Sequence, residues 1–372
     1  MRLFADAHFS QFPKVETLYR EAARHLRSAA VMSAPQANAD ALGSVNGSRT
    51  VMLSAGGQPA VKSVVKLPAE ERGGLPGLRL GELYLNEVDS SRLAQTMGVE
   101  HLVTQAIDRT LDGGPVAVQL WHQDTIRADA PAGEQRFHRP SAEILRVVDY
   151  VLGNLDRRGR NVLVRPVDAG PSDGTLYLPL GIDYGGSLPR GPILGHEQVY
   201  PSDWVVGHEG PLLDATTEFI RQLDPRALLE TASAAAAAVA VASTEHMLRR
   251  VARVKRDASF LAINGAPLDD VRAMSRATTT AGAQETQALG SSELSAIGQS
   301  VKAEYARRAA QQFPDGTLLR QQDNGAIFLL GQGLRWHVPN PETFTRLGLQ
   351  PQAVRPASLR TLEAIPVSAT MQ

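Results

Sequence analysis

Apolar residues recur at every fourth position in Leu18, Ala22, Leu26 and Ala30, which predicts an amphipathic helix from Val15 to Val31. A polar, small-residue stretch follows from Ser33 to Ser48 and holds Gly43 and Gly47. Strands are expected over Thr50 to Ser54 and Ala60 to Leu67, the latter carrying Lys62 and Lys66, with a turn at Gly56-Gly57 between them. Leu78 to Met97 reads as a helix and Pro115 to Trp121 as a short apolar strand. Ser141 to Leu152 reads as a helix with Ile144, Val147, Val148 and Val151 on one side. The period then changes: Asn161 to Val167 and Thr175 to Asp183 read as strands, and the Pro-Ser-Asp-Gly between them predicts a hairpin. From Ala215 to Met274 the pattern is mostly helical. Ala277 to Ser292 has little to bury and reads as a linker, Glu293 to Gln312 as a helix, and the chain from Pro314 onward as turn-rich and β-like.

Composition narrows the class. At 372 residues the chain is long for one compact core, and 43% hydrophobic residues suffice to build more than one. A formal charge of −1 gives no global attraction to nucleic acid or to an anionic membrane, and 5% aromatic residues argue against stacked-base recognition. The absence of cysteine excludes disulfides, thiolate chemistry and cysteine-based zinc sites. MRLFADAHFSQFPKVE lacks the basic-then-apolar order of a signal peptide. Ala232 to Ala242 reads as an Ala-rich helix, shorter than the about 20 apolar residues a membrane span needs. A cytoplasmic protein with no integral membrane segment is the expectation.

Chemistry concentrates in DYVLGNLDRRGRN, residues 149–161, and GIDYGG, residues 181–186. Here a helix runs into a loop holding Asp156 and Asn161, and the hairpin then delivers Asp183 beside Gly185. Phosphoryl transfer needs such a set: a carboxylate for the acceptor hydroxyl, hard oxygen ligands for magnesium, and a cation on the nucleotide phosphates. Asp156 suits the first role, Asn161 and Asp183 the second, and Lys66 the third, with Lys62 read as a solvated neighbour. Asp168, in Val-Asp-Ala-Gly, is the alternative metal ligand; Asp183 is favoured because a strand leads directly into it. Taken singly each residue is weak, and order and spacing together carry the case. His196, His208, His246 and His337 show no metal-ligand spacing.

DYVLGNLDRRGRN…IDYG resembles the catalytic loop and metal motif of atypical kinases, a group that includes the phosphatidylinositol-kinase-like, HipA-like and secretory-pathway kinases. It is most similar to a bacterial group related to phosphatidylinositol kinases. The resemblance spans roughly residues 42–187 and implies a two-lobed, α+β protein-kinase-like fold using ATP and Mg2+, or Mn2+ in its place. It implies that Lys66 contacts the phosphates and pairs with Glu87, that Asp156 is the catalytic base, and that Asn161 and Asp183 bind metal. It also implies that GSVNGS, with Gly43 and Gly47, covers the nucleotide, although the usual G-x-G-x-x-G spacing is absent. VAVQLWHQ would be the adenine hinge, with Gln119 and Trp121 at the cofactor. Two features depart from the pattern: Arg158 stands where the group has histidine, and the interval from Asn161 to Asp183 is long.

RWHVPNPETFTRLG resembles a short actinobacterial module found beside many partners. Asn340-Pro341 should start a helix at Glu342, and Trp336 and Phe344 are expected in its core. The expected organisation is an N-terminal helical extension (1–41), a kinase-like domain (42–275, small mixed α/β lobe to about 125, then a mainly helical lobe), a linker and helix (276–310), and a small β-rich module (311–372). The expected activity is phosphate transfer from ATP to a protein hydroxyl or small-molecule acceptor. A pseudokinase that only binds nucleotide or a partner, and an adenylyl transferase, are the alternatives.

Overall fold

A computed structural model describes residues 26, 29–31, 36–37, 48–54, 60–72, 77–122, 125–127, 137–157, 159–168, 175–190, 210–234, 239–261 and 289–368. The architecture is α+β, and the chain divides into two compact units: Met1–Asp224 with Arg250–Ala288, and Pro225–Arg249 with Leu289–Gln372.

The first unit begins with an antiparallel sheet of β1 (Ala30–Val31), β2 (Gln36–Ala37), β3 (Ser48–Ser54), β4 (Val61–Lys66), β5 (Ala106–Leu111) and β6 (Gly114–Leu120), in the order β1-β3-β4-β6-β5 with β2 also on β3. Strand period assigns its two faces. Val51, Leu53, Val65, Val116 and Val118 point to one side and form a core with Leu26 and Ala29. Ala106 and Ala117 point to the other side and pack on Tyr84 and Val88 of helix α1 (Leu83–Thr96). Lys66 and Gln119 share this second face, because Lys66 lies opposite Ala117 and Val64 opposite Gln119.

Two expectations change here. Ala30–Val31 does not continue the N-terminal helix but pairs with Leu53 and Ser54, since the sheet offers its backbone a ladder. The helix expected from Leu78 starts at Leu83, because the Glu71 carboxylate accepts the N–H groups of Gly81 (2.5 Å), Leu83 (3.0 Å) and Tyr84 (2.8 Å) and fixes its first turn there. Strand β5 was not expected. It joins β6 through Asp112-Gly113, both at positive φ (50° and 80°), the two-residue turn that matches strand twist.

Helix α2 (Arg139–Leu152) buries Ile144, Val147, Val148 and Val151 as its period predicts. It ends at Gly153, whose φ of 64° no other residue adopts as cheaply and whose place leaves no room for a Cβ, which would lie 2.8 Å from the Arg250 guanidinium. Strand β7 (Ile126–Arg127) pairs with β8 (Val162–Asp168), which forms the expected hairpin with β9 (Thr175–Gly181), in register from Val162↔Gly181 to Asp168↔Thr175. Helix α3 (Asp214–Gln222) follows.

In the second unit the Ala-rich run is not one helix. Helix α4 (Pro225–Ser233) stops, residues 239–240 are not helical, and α5 begins at Val241 and runs to Arg256. The Tyr305 hydroxyl, from α6 (Ser291–Gln312), lies at the break, 3.1 Å from the Ala232 carbonyl and 2.7 Å from that of Val239. A four-stranded sheet follows, of β10 (Leu318–Gln321), β11 (Ile327–Gly331), β12 (Leu334–Val338) and β13 (Val354–Ala357), in the order β12-β11-β10-β13. Between its strands, α7 (Pro341–Arg346) is capped by Asn340, which accepts the Thr343 N–H at 2.8 Å. The core of this module is Ala309, Leu319, Leu330, Ala357, Leu362 and Ile365, the last two in and after α8 (Leu359–Glu363). Trp336 and Phe344 are only half-buried, a correction to their expected place in the core. Among the described residues, no helix is long and apolar enough to cross a membrane.

Candidate active site

Helix α1 buries Asn86, Glu87, Asp89, Ser90 and Ser91 along with its apolar residues. Buried polar groups need partners, and Asn86, Glu87 and Ser91 find theirs on the sheet and the turn after β9. Asn86 donates to the Gly185 carbonyl at 3.1 Å, and the Ser91 hydroxyl accepts the Ala106 N–H at 3.1 Å. Gly185 permits the close approach: a Cβ there would lie 3.3 Å from the Leu83 Cβ and 3.5 Å from Glu87 Oε1.

Glu87 is the centre of the cluster. Its Oε1 takes the Lys66 ammonium, and its Oε2 accepts from the Gln119 amide and, at 2.8 Å, from the Tyr184 N–H. Lys66 also reaches Asp183 Oδ1, at 2.6 Å. Burial opposes the Lys66 ammonium, but the Asp183 and Glu87 carboxylates outweigh it and hold its pKa above the usual lysine range. Burial pushes Glu87 up, and Asp183 adds to that against the pull of Lys66, so its pKa lies above the ordinary carboxylate value. Burial works the same way on Asp183, but there the pull of Lys66 wins and the pKa falls. Asp183 sits at φ 60°, ψ 58°, a left-handed conformation uncommon outside glycine. Its side chain is 34% exposed against 2% for Glu87, so the cluster opens to solvent on the Asp183 side.

The loop after α2 is built around Arg157. Its guanidinium forms a bidentate pair with Asp149, at 2.8 and 3.0 Å, and both side chains are fully buried. It also donates to the Asn161 carbonyl and, at 2.8 Å, to the Ile182 carbonyl, and it stacks 4.6 Å from the Tyr184 ring centroid. The Ile182 N–H donates to the Asn161 carbonyl at 3.0 Å. These bonds fasten the loop bearing Asp156 and Asn161 to the turn bearing Asp183. Within the loop, Asn161 Nδ2 donates to the Asp156 carbonyl (2.6 Å) and to Asp156 Oδ2 (3.2 Å).

That amide nitrogen faces Asp156, so the Asn161 Oδ1 atom is the end left to act as a ligand. With the Asp183 carboxylate it offers hard oxygen donors, the chemistry magnesium takes. Among the described residues there is no cluster of three or more His, Asp and Glu in ligand geometry. Two protein donors suit an ion that keeps waters and phosphate oxygens as its other ligands.

The structure therefore brings Lys66, Glu87 and Asp183 into one cluster and Asp156 and Asn161 into the adjoining loop. Gln119 is 4% exposed and spends its amide on Glu87. Trp121 lies past the end of β6, with the Lys62 ammonium 3.7 Å from its ring centroid, so Lys62 is not the simple solvated lysine expected. Gly43, Gly47 and Arg158 lie outside the described residues, as does the Asp168 side chain. Sequence reasoning missed Asp149 and Arg157. Their signal was a carboxylate inside the apolar run of α2, eight residues before an arginine. His122 was missed as well: it is buried, its Nε2 lies 3.3 Å from the Thr104 hydroxyl, and burial with Arg165 nearby lowers its pKa to about 3.

No protein-family description matches the sequence, and no curated protein sequence matches it. Solved structures similar to it include the Helicobacter pylori proinflammatory kinase CtkA, at 11% identity and a TM-score of 0.29 over 70% of this chain and 92% of that one. The Rio2 kinase from Chaetomium thermophilum matches at 12% identity and a TM-score of 0.30, over 81% of this chain and 78% of that one. The ADP/Mg2+-phosphoaspartate complex of that Rio2 kinase matches at 10% and 0.28, over 79% and 75%. At such identities and TM-scores these likenesses assign neither a family nor an activity to this chain.

Proposed function

We propose that this chain is an ATP- and Mg2+-dependent phosphotransferase of the atypical-kinase kind, acting on a protein hydroxyl or a small molecule. The observation that carries the proposal is Lys66 bridging Glu87 and Asp183, three residues from separate elements gathered by β4, α1 and the turn after β9. Such a lysine is a preorganised cation for polyphosphate, which places most of the catalysis in positioning and charge neutralisation. The bacterial group related to phosphatidylinositol kinases is the branch we favour, on the loop DYVLGNLDRRGRN alone. Residues 42–275 would be the kinase-like domain, in a cytoplasmic protein.

In this scheme Glu87 holds Lys66, and Lys66 steadies the nucleotide phosphates. Asp156 accepts the proton of the acceptor hydroxyl as its oxygen bonds to the γ-phosphorus and the bond to the β-phosphate oxygen breaks, releasing ADP. Asn161 and Asp183 would hold the metal ion, which when bound neutralises charge on the phosphates. Asn161 also keeps Asp156 oriented through its amide. Nothing in the charge distribution calls for a nucleic-acid partner.

The test is turnover with Mg2+ and either γ- or α-labelled ATP, with wild type beside Asp183→Ala. Transfer of the γ label, lost in the variant, is expected. Retention of the α label would mean adenylyl transfer. Metal-dependent binding without transfer would mean a pseudokinase, and no nucleotide binding would refute the proposal.

A further inference from the structure

We propose that Gln119 is a positioning residue that anchors the Glu87 carboxylate, and through it Lys66, and that it is not a contact to the nucleotide base; its kinetic consequence rests on the phosphotransfer reading above. Gln119 lies in mid-sheet, paired across the ladder with both Ala106 and Val64, so its Cα cannot drift. The strand period turns its side chain to α1 beside Ala117, and at 4% exposure little of it is left for a ligand to touch. Its amide donates to Glu87 Oε2.

The other two donors to Glu87 are not independent of Asp183. Lys66 divides its ammonium between Glu87 and Asp183, and the Tyr184 N–H belongs to the residue after Asp183. Any shift of Asp183 therefore disturbs both. Gln119 alone among these three donors has no tie to Asp183 or its turn, so it fixes the Glu87 carboxylate while that turn adjusts. Without it, the acyclic Glu87 side chain regains rotamers, and Lys66 loses a fixed partner.

Gln119→Met keeps length and removes the donor. The expected result is a kcat lowered about tenfold, with KM for ATP changed less than about twofold and the preference for ATP over GTP unchanged, the pattern of an interaction that acts in the transition state. In a Glu87→Ala background the same substitution should add less than about twofold, because the two side chains act as one unit. A raised KM or an altered ATP/GTP preference at unchanged kcat would assign Gln119 to the base and overturn the proposal, as would equal losses in both backgrounds. Hydrogen exchange at the Tyr184 amide reads the same positioning without turnover. Gln119→Met should speed it about tenfold, as expected for a local opening, while the Val164 amide in β8 stays unchanged. Unchanged exchange at Tyr184 would overturn the proposal even if the wild type proved inert, an outcome that would separately refute phosphotransfer.

Discussion

Replacing Arg157 by Met should be the most damaging single change in the first unit. Arg157 and Asp149 have no exposed side-chain surface, so the pair cannot fall back on water. Removing the guanidinium leaves the buried Asp149 carboxylate with neutral neighbours such as the Asn154 amide, 3.3 Å away. Breaking a buried pair from one side costs about 3–5 kcal/mol. The Ile182 carbonyl loses its Arg157 donor as well, at about 1 kcal/mol or more, while the Asn161 carbonyl keeps the Ile182 N–H. A loss of about 5 kcal/mol is comparable to the whole stability of many domains. Urea unfolding followed by circular dichroism would show it as a midpoint lowered by about 2 M or more, or as failure to fold. The control is Asp149→Leu with Arg157→Met, which removes both charges and should recover more than half of the loss, since a buried pair replaced by apolar groups is often neutral. A single variant within about 1 kcal/mol of wild type, or a double variant no better than the single, would refute the claim that Arg157 braces the loop through Asp149.

His122 titrates with the opposite sign to a salt-bridged histidine. Its folded pKa, about 3, lies below the unfolded value of about 6.5, so the unfolded chain binds more protons between those limits. Stability from this group is therefore whole above about pH 6.5 and lost as pH falls, by about 2 kcal/mol from pH 7 to pH 5. His122→Gln should flatten that slope, and an unchanged slope would clear His122 of the effect. Gly185→Ala places a Cβ 3.3 Å from the Leu83 Cβ and should cost about 1 kcal/mol of stability, but a larger loss of transfer, because it pushes α1 and Glu87 from the Asp183 turn. Full activity in that variant would show that the contact is not needed.

What was legible in the sequence was periodic. The strands β3, β4, β6, β8 and β9 and the helix α2 lie within two residues of their expected limits, because each buries one face against a continuous core. The hairpin from β5 to β6 was missed although Asp112-Gly113 is a strong turn signal, since Ile-Asp-Arg-Thr on β5 is mostly polar and its outer residues face solvent. The break in the alanine run could not be read from propensity: alanine favours helix, and the Tyr305 hydroxyl that meets the carbonyls on either side of the break comes from more than sixty residues away. At the site, Lys66 and Asp183 were named from order and spacing, and Glu87 from the resemblance to atypical kinases. Arg157 was not given the place it holds, because its partner is fixed by packing: an arginine next to Asp156 looks like a surface charge until Asp149 is found buried beneath it.

The hairpin also separates the two carboxylates that the sequence offers as alternative metal ligands. Asp168 and Asp183 both precede a glycine within two residues, and the sequence alone left the choice to strand order. In the register, Val162 faces Gly181 and Asp168 faces Thr175, so Asp168 stands six residues along β8 from the end that adjoins Asn161. At about 3.4 Å per residue that is about 20 Å, several times the reach of a single ion. Asp183 lies two residues beyond Gly181, where Ile182 is bonded to Asn161 and Lys66 closes on the carboxylate. A long insertion at the tip of a hairpin lengthens both strands together and leaves their base in register. The long interval between Asn161 and Asp183 therefore does not part them: the paired strands β8 and β9 bring the chain back to Asn161, whose carbonyl accepts the Ile182 N–H at 3.0 Å.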